Sequence, residues 1–172
     1  MITCESLLFE FRFNASEMLE RSRNKRIVFA GDSIGRNQWE SLLCMLSTAV
    51  KNKSRIYEAS GNPIGKHLGS LSVRFSDFNL TVEYFRSPFL VVIDRPPPNS
   101  PHDVYGAIRV DTPQWQCNLW AGADVIIFNT GHWWSDDKTI HKYVCSCWLS
   151  LNQTILRFLD TRKYIYSKKV YK

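Results

Sequence analysis

The sequence predicts an α/β fold with a mainly parallel sheet. Three observations point there. Two short apolar runs, Ile27-Val28-Phe29-Ala30 and Asp124-Val125-Ile126-Ile127-Phe128, have the length and β-branched content of buried strands. Each breaks into a polar cluster, Gly31-Asp32-Ser33 after the first and Asn129-Thr130-Gly131-His132 after the second. The first run is also followed by Trp39, Leu42, Leu43, Leu46 and Val50 at helical spacing, which makes a strand–turn–helix unit.

Taken in order, Ala15 to Arg23 reads as a short helix with Asn14 or Ser16 as its cap and Met18 and Leu19 on its apolar side. Ile27 to Ala30 is the first strand, Gly31-Asp32-Ser33 the break, and Asn37 to Val50 an amphipathic helix. Lys51 to Ser70 is loop-like, with Gly61-Asn62-Pro63 as a turn. Leu71 to Phe75 and Leu80 to Phe85 form a hairpin around Ser76-Asp77-Phe78-Asn79. Phe89 to Ile93 is a further apolar run, and the proline-rich stretch from Arg95 to Pro101 is a surface loop. Asp111 to Ala121 is expected to hold a short helix. After the Asp124 strand, a helix is expected from Val144 onward, followed by a basic and aromatic tail.

The chain has 172 residues, enough for one domain with a real core. Its net charge of +6 favours anionic partners, with the basic residues gathered in Arg21 to Arg26 and Arg157 to Lys172. That distribution, with no recognition motif, speaks against nucleic acid. The heavy aromatic load fits a core first and a sugar-binding groove second. Of the five cysteines, the pair Cys145 and Cys147 lacks the spacing of a zinc site, so no metal is expected. Four Asn-x-Ser/Thr sequons, at Asn14, Asn52, Asn79 and Asn152, lean towards a secretory-pathway glycoprotein. No stretch is long and apolar enough to span a membrane, and the first residues do not read as a signal peptide.

In open α/β sheets, sites form at the carboxyl ends of strands. If the two apolar strands are parallel neighbours, their polar clusters lie side by side. Ser33 there is a nucleophile, exposed on a tight turn with helix amides ahead of it, or else Asp32 or Ser33 simply caps the helix. Gly31 to Gly35 fits the short Gly-x-Ser-x-Gly pattern, and the lysine of a phosphate-binding loop is missing. Asn129 is either an oxyanion donor or a turn residue. His132 is either a base or a structural histidine beside Trp133 and Trp134.

Three blocks then carry a family resemblance. Lys25 to Cys44 (KRIVFAGDSIGRNQWESLLC) resembles the Gly-Asp-Ser block of the plant trichome birefringence-like proteins. Val82 to Val91 (VEYFRSPFLV) and Asp124 to Trp134 (DVIIFNTGHWW) resemble two later blocks, in the right order. The resemblance covers residues 11–138 and implies the N-terminal half of a catalytic domain with a partial SGNH/GDSL-esterase-like three-layer fold, incomplete at its C-terminus. Residues 1–10 and the tail 139–172 are expected to diverge from the family.

The resemblance further implies a type II Golgi membrane protein that O-acetylates a cell-wall polysaccharide such as xylan, mannan or pectin. The acetyl group would come from a donor the sequence does not identify, with no bound cofactor, and membrane attachment would need an anchor not found in this chain. By the same match Ser33 is the acetyl-carrying nucleophile, Asp32 shapes the turn, and Arg36 and Asn129 support the oxyanion. The family's base and its orienting acid lie in an Asp-x-x-His motif, and no Asp-x-x-His occurs in these 172 residues. The expectation is therefore a truncated or mis-spliced gene product with weak activity, exposed strand edges and poor solubility. Two alternatives stand beside the transferase: an acetyl esterase that passes the acetyl group to water, and a non-catalytic polysaccharide-binding protein.

Overall fold

A computed structural model describes residues 13–65, 68–139, 142–144 and 164–166. The chain opens with α1 (Ala15–Arg21), capped by Asn14, whose side chain accepts the Glu17 N–H. β1 (Arg26–Gly31) runs straight into α2 (Ser33–Ser47), with Asp32 alone between them. The apolar spacing predicts that this helix starts at Asn37. It starts at Ser33 because the Asp32 carboxylate accepts the Ile34 N–H at 2.8 Å and the Gly35 N–H at 3.4 Å, which satisfies two orphan donors of the first turn.

The stretch expected to be loop from Lys51 to Ser70 holds a 3₁₀ turn (Lys53–Arg55) and the short strand β2 (Ile56–Glu58). β3 (Ser70–Phe75) and β4 (Leu80–Arg86) form the expected hairpin, turned through Asn79 at φ 48°. β5 (Val91–Asp94) pairs antiparallel with β6 (Gly106–Pro113). β6 corrects the helix expected from Asp111. Ile108 and Val110 are buried while Arg109 and Asp111 between and after them face outward, a period-two pattern that belongs to a half-buried strand. The helical part is only α3 (Cys117–Trp120).

β7 (Val125–Asn129) is followed by a 3₁₀ turn (Gly131–Trp134) and α4 (Asp136–Thr139). Val144 closes β8 (Lys142–Val144) rather than opening a helix, and β9 (Tyr164–Tyr166) adds one more strand. The rest of the helix and tail expected after Val144 lies outside the described residues, as do Cys4, Cys145, Cys147 and Asn152.

The strands make a six-stranded sheet in the order β2-β3-β4-β1-β7-β9 and a three-stranded sheet in the order β5-β6-β8. β4, β1, β7 and β9 are parallel to one another, and β2 and β3 add an antiparallel edge. Both faces of β1 are covered, which is why its sequence is continuously apolar. Ile27 and Phe29 pack with Leu19, Trp39 and Leu46 under α1 and α2, whereas Val28 and Ala30 pack with Phe85, Trp120 and Phe128 on the other side. A third cluster, Phe89, Val91, Ile108 and Val110, joins the small sheet to Trp133 and Trp134. The result is a mixed α/β fold with a parallel centre, the partial three-layer arrangement expected. Among the described residues, no helix is long and apolar enough to cross a membrane.

Candidate active site

The expectation that the two polar clusters adjoin is met in detail. β1 pairs in parallel with β7, and Gly31 stands in register with Asn129. The Asp32 N–H donates to the Asn129 carbonyl at 3.1 Å, which ties the start of the turn to the end of the neighbouring strand. Gly31 is required by this approach: a Cβ there would sit 2.0 Å from the Asn129 carbonyl oxygen. Gly35, in the first turn of α2, faces the Asn129 side chain. A Cβ on Gly35 would lie 3.5 Å from the Asn129 Cβ.

Ser33 is the first helical residue, and it is exposed, whereas Asp32 beneath it is 1% exposed. The two readings of this junction therefore separate by residue. Asp32 is the cap, and Ser33, the first helical residue, is exposed at the positive end of the helix. One Asp32 carboxylate oxygen holds the Ile34 and Gly35 amides. The other, Oδ2, is buried with no hydrogen-bond partner among the described residues.

Arg36 is buried one turn further on. Its Nε donates to Glu40 at 2.8 Å, and its guanidinium lies 5.9 Å from the centre of the Tyr84 ring. His132 is exposed in the 3₁₀ turn after β7, and its backbone carbonyl accepts the Ser135 hydroxyl. Ser33, Asp32 and Asn129 are thus brought to one strand end. Arg36 is committed to Glu40 and Tyr84 behind them, and His132 stands in the neighbouring turn. Among the described residues no group of three or more His, Cys, Asp or Glu side chains could hold a metal ion.

Sequence reading missed the residues that brace the turn from β4. The Tyr84 hydroxyl donates to the Asp32 carbonyl at 3.1 Å, an acceptor that also takes the Arg36 N–H. Burial raises the Tyr84 phenol above its ordinary range, so it remains a donor. Ser87, fully buried, donates its N–H to the Gly31 carbonyl at 2.8 Å and its hydroxyl to the Gln114 side-chain carbonyl. Their spacing in sequence gives no hint of this. A signal exists only once β4 is known to pair in parallel with β1, which puts Tyr84 opposite Phe29 and Arg86 opposite Gly31.

Comparison with known proteins gives the family. A profile of the family described as "PC-Esterase: GDSL/SGNH-like Acyl-Esterase family found in Pmr5 and Cas1p" matches residues 11–166. The chain is 67% identical over 129 residues to protein trichome birefringence-like 9 of Arabidopsis thaliana, covering 75% of this chain and 31% of that protein. It is 42% identical over 132 residues to protein trichome birefringence of the same plant, covering 74% of this chain and 21% of that protein. It is 37% identical over 129 residues to xylan O-acetyltransferase 13 of Oryza sativa subsp. japonica, covering 74% of this chain and 24% of that protein. The chain thus spans less than a third of the length of these relatives. With the Gly-Asp-Ser turn, its paired strand end and these matches together, the chain belongs to the PC-esterase family of GDSL/SGNH-like acyl esterases that includes the trichome birefringence-like proteins.

Proposed function

We propose that this chain carries the nucleophile-bearing part of an O-acetyltransferase acting on a plant cell-wall polysaccharide, with Ser33 as the acetyl carrier. The observation that carries the reading is the exposed Ser33 hydroxyl at the first position of a fifteen-residue helix, directly at the carboxyl end of the central parallel strand. Xylan O-acetyltransferases among the relatives supply the chemistry of the acceptor.

In the first half-reaction, the Ser33 Oγ attacks the donor's acetyl carbonyl. The Oγ–carbon bond forms, the bond to the leaving group breaks, and the serine proton leaves with that group through a base. In the second, a sugar hydroxyl attacks the acetyl carbon, the Oγ–carbon bond breaks, and a proton returns to Ser33. The oxyanion of each step is supported by the Ser33 N–H, the one amide of the first turn of α2 that Asp32 does not take, with Asn129 as a side-chain donor beside it. His132, at the same end of the sheet, is the base candidate these residues offer, and Asp32 serves as the structural member that keeps the turn closed. The setting that goes with this reading is the Golgi, with a membrane anchor outside these residues. The sequon asparagines Asn14, Asn52 and Asn79 are all exposed, in keeping with it.

The test is acetyl transfer itself. Incubation with an activated acetyl ester and xylo-oligosaccharide, followed by mass spectrometry of the sugar, is expected to show slow acetylation that disappears in Ser33→Ala. Transfer that survives in Ser33→Ala would refute the assignment. An acetyl group released only to water would make the esterase the correct reading.

A further inference from the structure

We propose that Gln114 is a positioning residue for the nucleophile turn. It clamps both ends of the turn from Ser87 to Leu90, and that turn holds the Gly31 carbonyl, from which Asp32 and Ser33 follow. The inference rests on the reading of Ser33 as the acetyl carrier. It adds a residue, at the end of the second sheet, that sets where Ser33 stands.

Every link is a printed contact of the fold. Ser87 comes directly after β4 and is 0% exposed. Its N–H donates to the Gly31 carbonyl at 2.8 Å, two residues before Ser33, and closes the β4–β1 ladder. The Ser87 hydroxyl donates to the Gln114 side-chain carbonyl. The Ser87 carbonyl accepts the Leu90 N–H at 3.3 Å, and the Leu90 carbonyl accepts the Gln114 N–H at 3.1 Å. Gln114 thus meets the first residue of the turn with its side chain and the last with its backbone. It directly follows β6, so the clamp is also where the three-stranded sheet bears on the reactive turn.

Two irregularities mark this turn as more than a connection. Leu90 has φ 61°, the left-handed region that disfavours a leucine. Such strain persists only where the surroundings over-determine it, and it gathers at working sites. Here the Leu90 side chain is buried with Val28, Ala30 and Phe85, on the face of β1 away from α2, while Gln114 ties the Leu90 carbonyl. The second irregularity is in β6. Val92, Ile93 and Asp94 pair regularly with Arg109, Ile108 and Ala107, but Val91 pairs with Pro113, so Val110, Asp111 and Thr112 are skipped. An unbroken ladder would set Asp111 against Leu90. The bulge brings Gln114 there instead, a neutral acceptor that costs less than a carboxylate to place against the buried Ser87 hydroxyl.

The experiment is saturation kinetics of Ser33 acetylation by p-nitrophenyl acetate on the folded chain and its variants. Gln114→Asn keeps the amide but is one methylene too short to reach. Ser87→Val and Ser87→Thr have the same size, and only the threonine keeps the hydroxyl. Gln114→Asn and Ser87→Val are each expected to lower the limiting rate about tenfold, with the half-saturating ester concentration changed by less than about twofold. Ser87→Thr is expected to recover most of that loss. The double variant Ser87→Val/Gln114→Asn should be no slower than either single one, since both cut the same bond. Glu83→Ala, at the far end of β4, should leave the rate unchanged. A second readout is amide exchange at Asp32, whose N–H donates to Asn129 and takes no part in the chemistry of Ser33. It is expected to speed up at least about tenfold in Gln114→Asn and Ser87→Val at matched global stability, and to hold in Ser87→Thr and Glu83→Ala.

Ser87→Thr no faster than Ser87→Val would reduce the contact to packing and overturn the proposal. So would a limiting rate unchanged in Gln114→Asn, or Asp32 exchange unchanged in both variants. Should Ser87→Val fail to fold, Gln114→Asn decides alone, because Gln114 is only half-buried and loses a single methylene. Absence of Ser33 acetylation in the unmodified chain would sink the transferase reading, and Asp32 exchange would then decide by itself whether Gln114 holds the turn.

Discussion

The two ends of β1 are built to opposite rules. At the amino end Arg26 is fully engaged. The Arg26 N–H donates to Asp124, and the Arg26 guanidinium binds Glu83 at 2.7 Å and the carbonyls of Leu119 and Ala121. At the carboxyl end Ser33 is exposed, and among the described residues Arg86 makes no ion pair and the Asp32 Oδ2 is buried without a partner. A strand end that only holds a fold satisfies its charges. On the function proposed above, the groups left unspent at the carboxyl end are the ones a substrate would engage.

Mutations at the two ends should break this contrast in a graded way. The largest effect is expected from Gly31→Ala. Its Cβ would meet backbone 2.0 Å away, so the β1–β7 pairing must shift, costing about 3 kcal/mol in urea unfolding. Glu83→Ala at the opposite end leaves Arg26 without its carboxylate. With the two side chains 32% and 13% exposed, the screened loss is about 1 kcal/mol. Tyr84→Phe removes one of the two donors to the Asp32 carbonyl at a similar cost of about 1 kcal/mol, and it should lower any Ser33 reactivity as well, which Glu83→Ala should not. Ser33→Ala should change stability by less than about 0.5 kcal/mol, since the hydroxyl is exposed and Asp32, not Ser33, is the cap.

The smallest effect is a matter of pH. Burial pushes the Cys117 thiol up to about 11 from its ordinary 9.0. The folded state holds this proton more tightly than the unfolded chain. The stability it contributes is therefore present below pH 9 and is lost as pH climbs towards 11. Cys117→Ala should flatten that slope. At pH 8 a thiol reagent should modify Cys44, which is exposed, and spare Cys117, which is buried.

What the sequence disclosed, and what it hid, divides along the same physical line. Ser33, Asp32 and Asn129 were legible because each sits where an apolar run of β-branched residues stops, and that signal is local. The early start of α2 was obscured because its first turn, Ser33 to Arg36, has no apolar periodicity; only the Asp32 cap marks it. β6 was obscured by the prolines before it and by Pro113 at its end, although Ile108 and Val110 alternate correctly. Tyr84, Arg86 and Ser87 fall in the Val82 to Val91 block that carries the resemblance, but their part in bracing the turn, and that of Gln114, is marked by no local pattern. Their importance comes from β4 lying against β1, a long-range pairing that no local pattern encodes.

The most direct measurement of the central claim is covalent. The folded chain is treated with excess p-nitrophenyl acetate, digested, and mapped by mass spectrometry. The account predicts a single acetylated serine, Ser33, whose modification is slowed in Tyr84→Phe and absent in Ser33→Ala. Acetylation spread over surface lysines with Ser33 untouched would mean that the strand–helix junction closes a fold without arming a nucleophile.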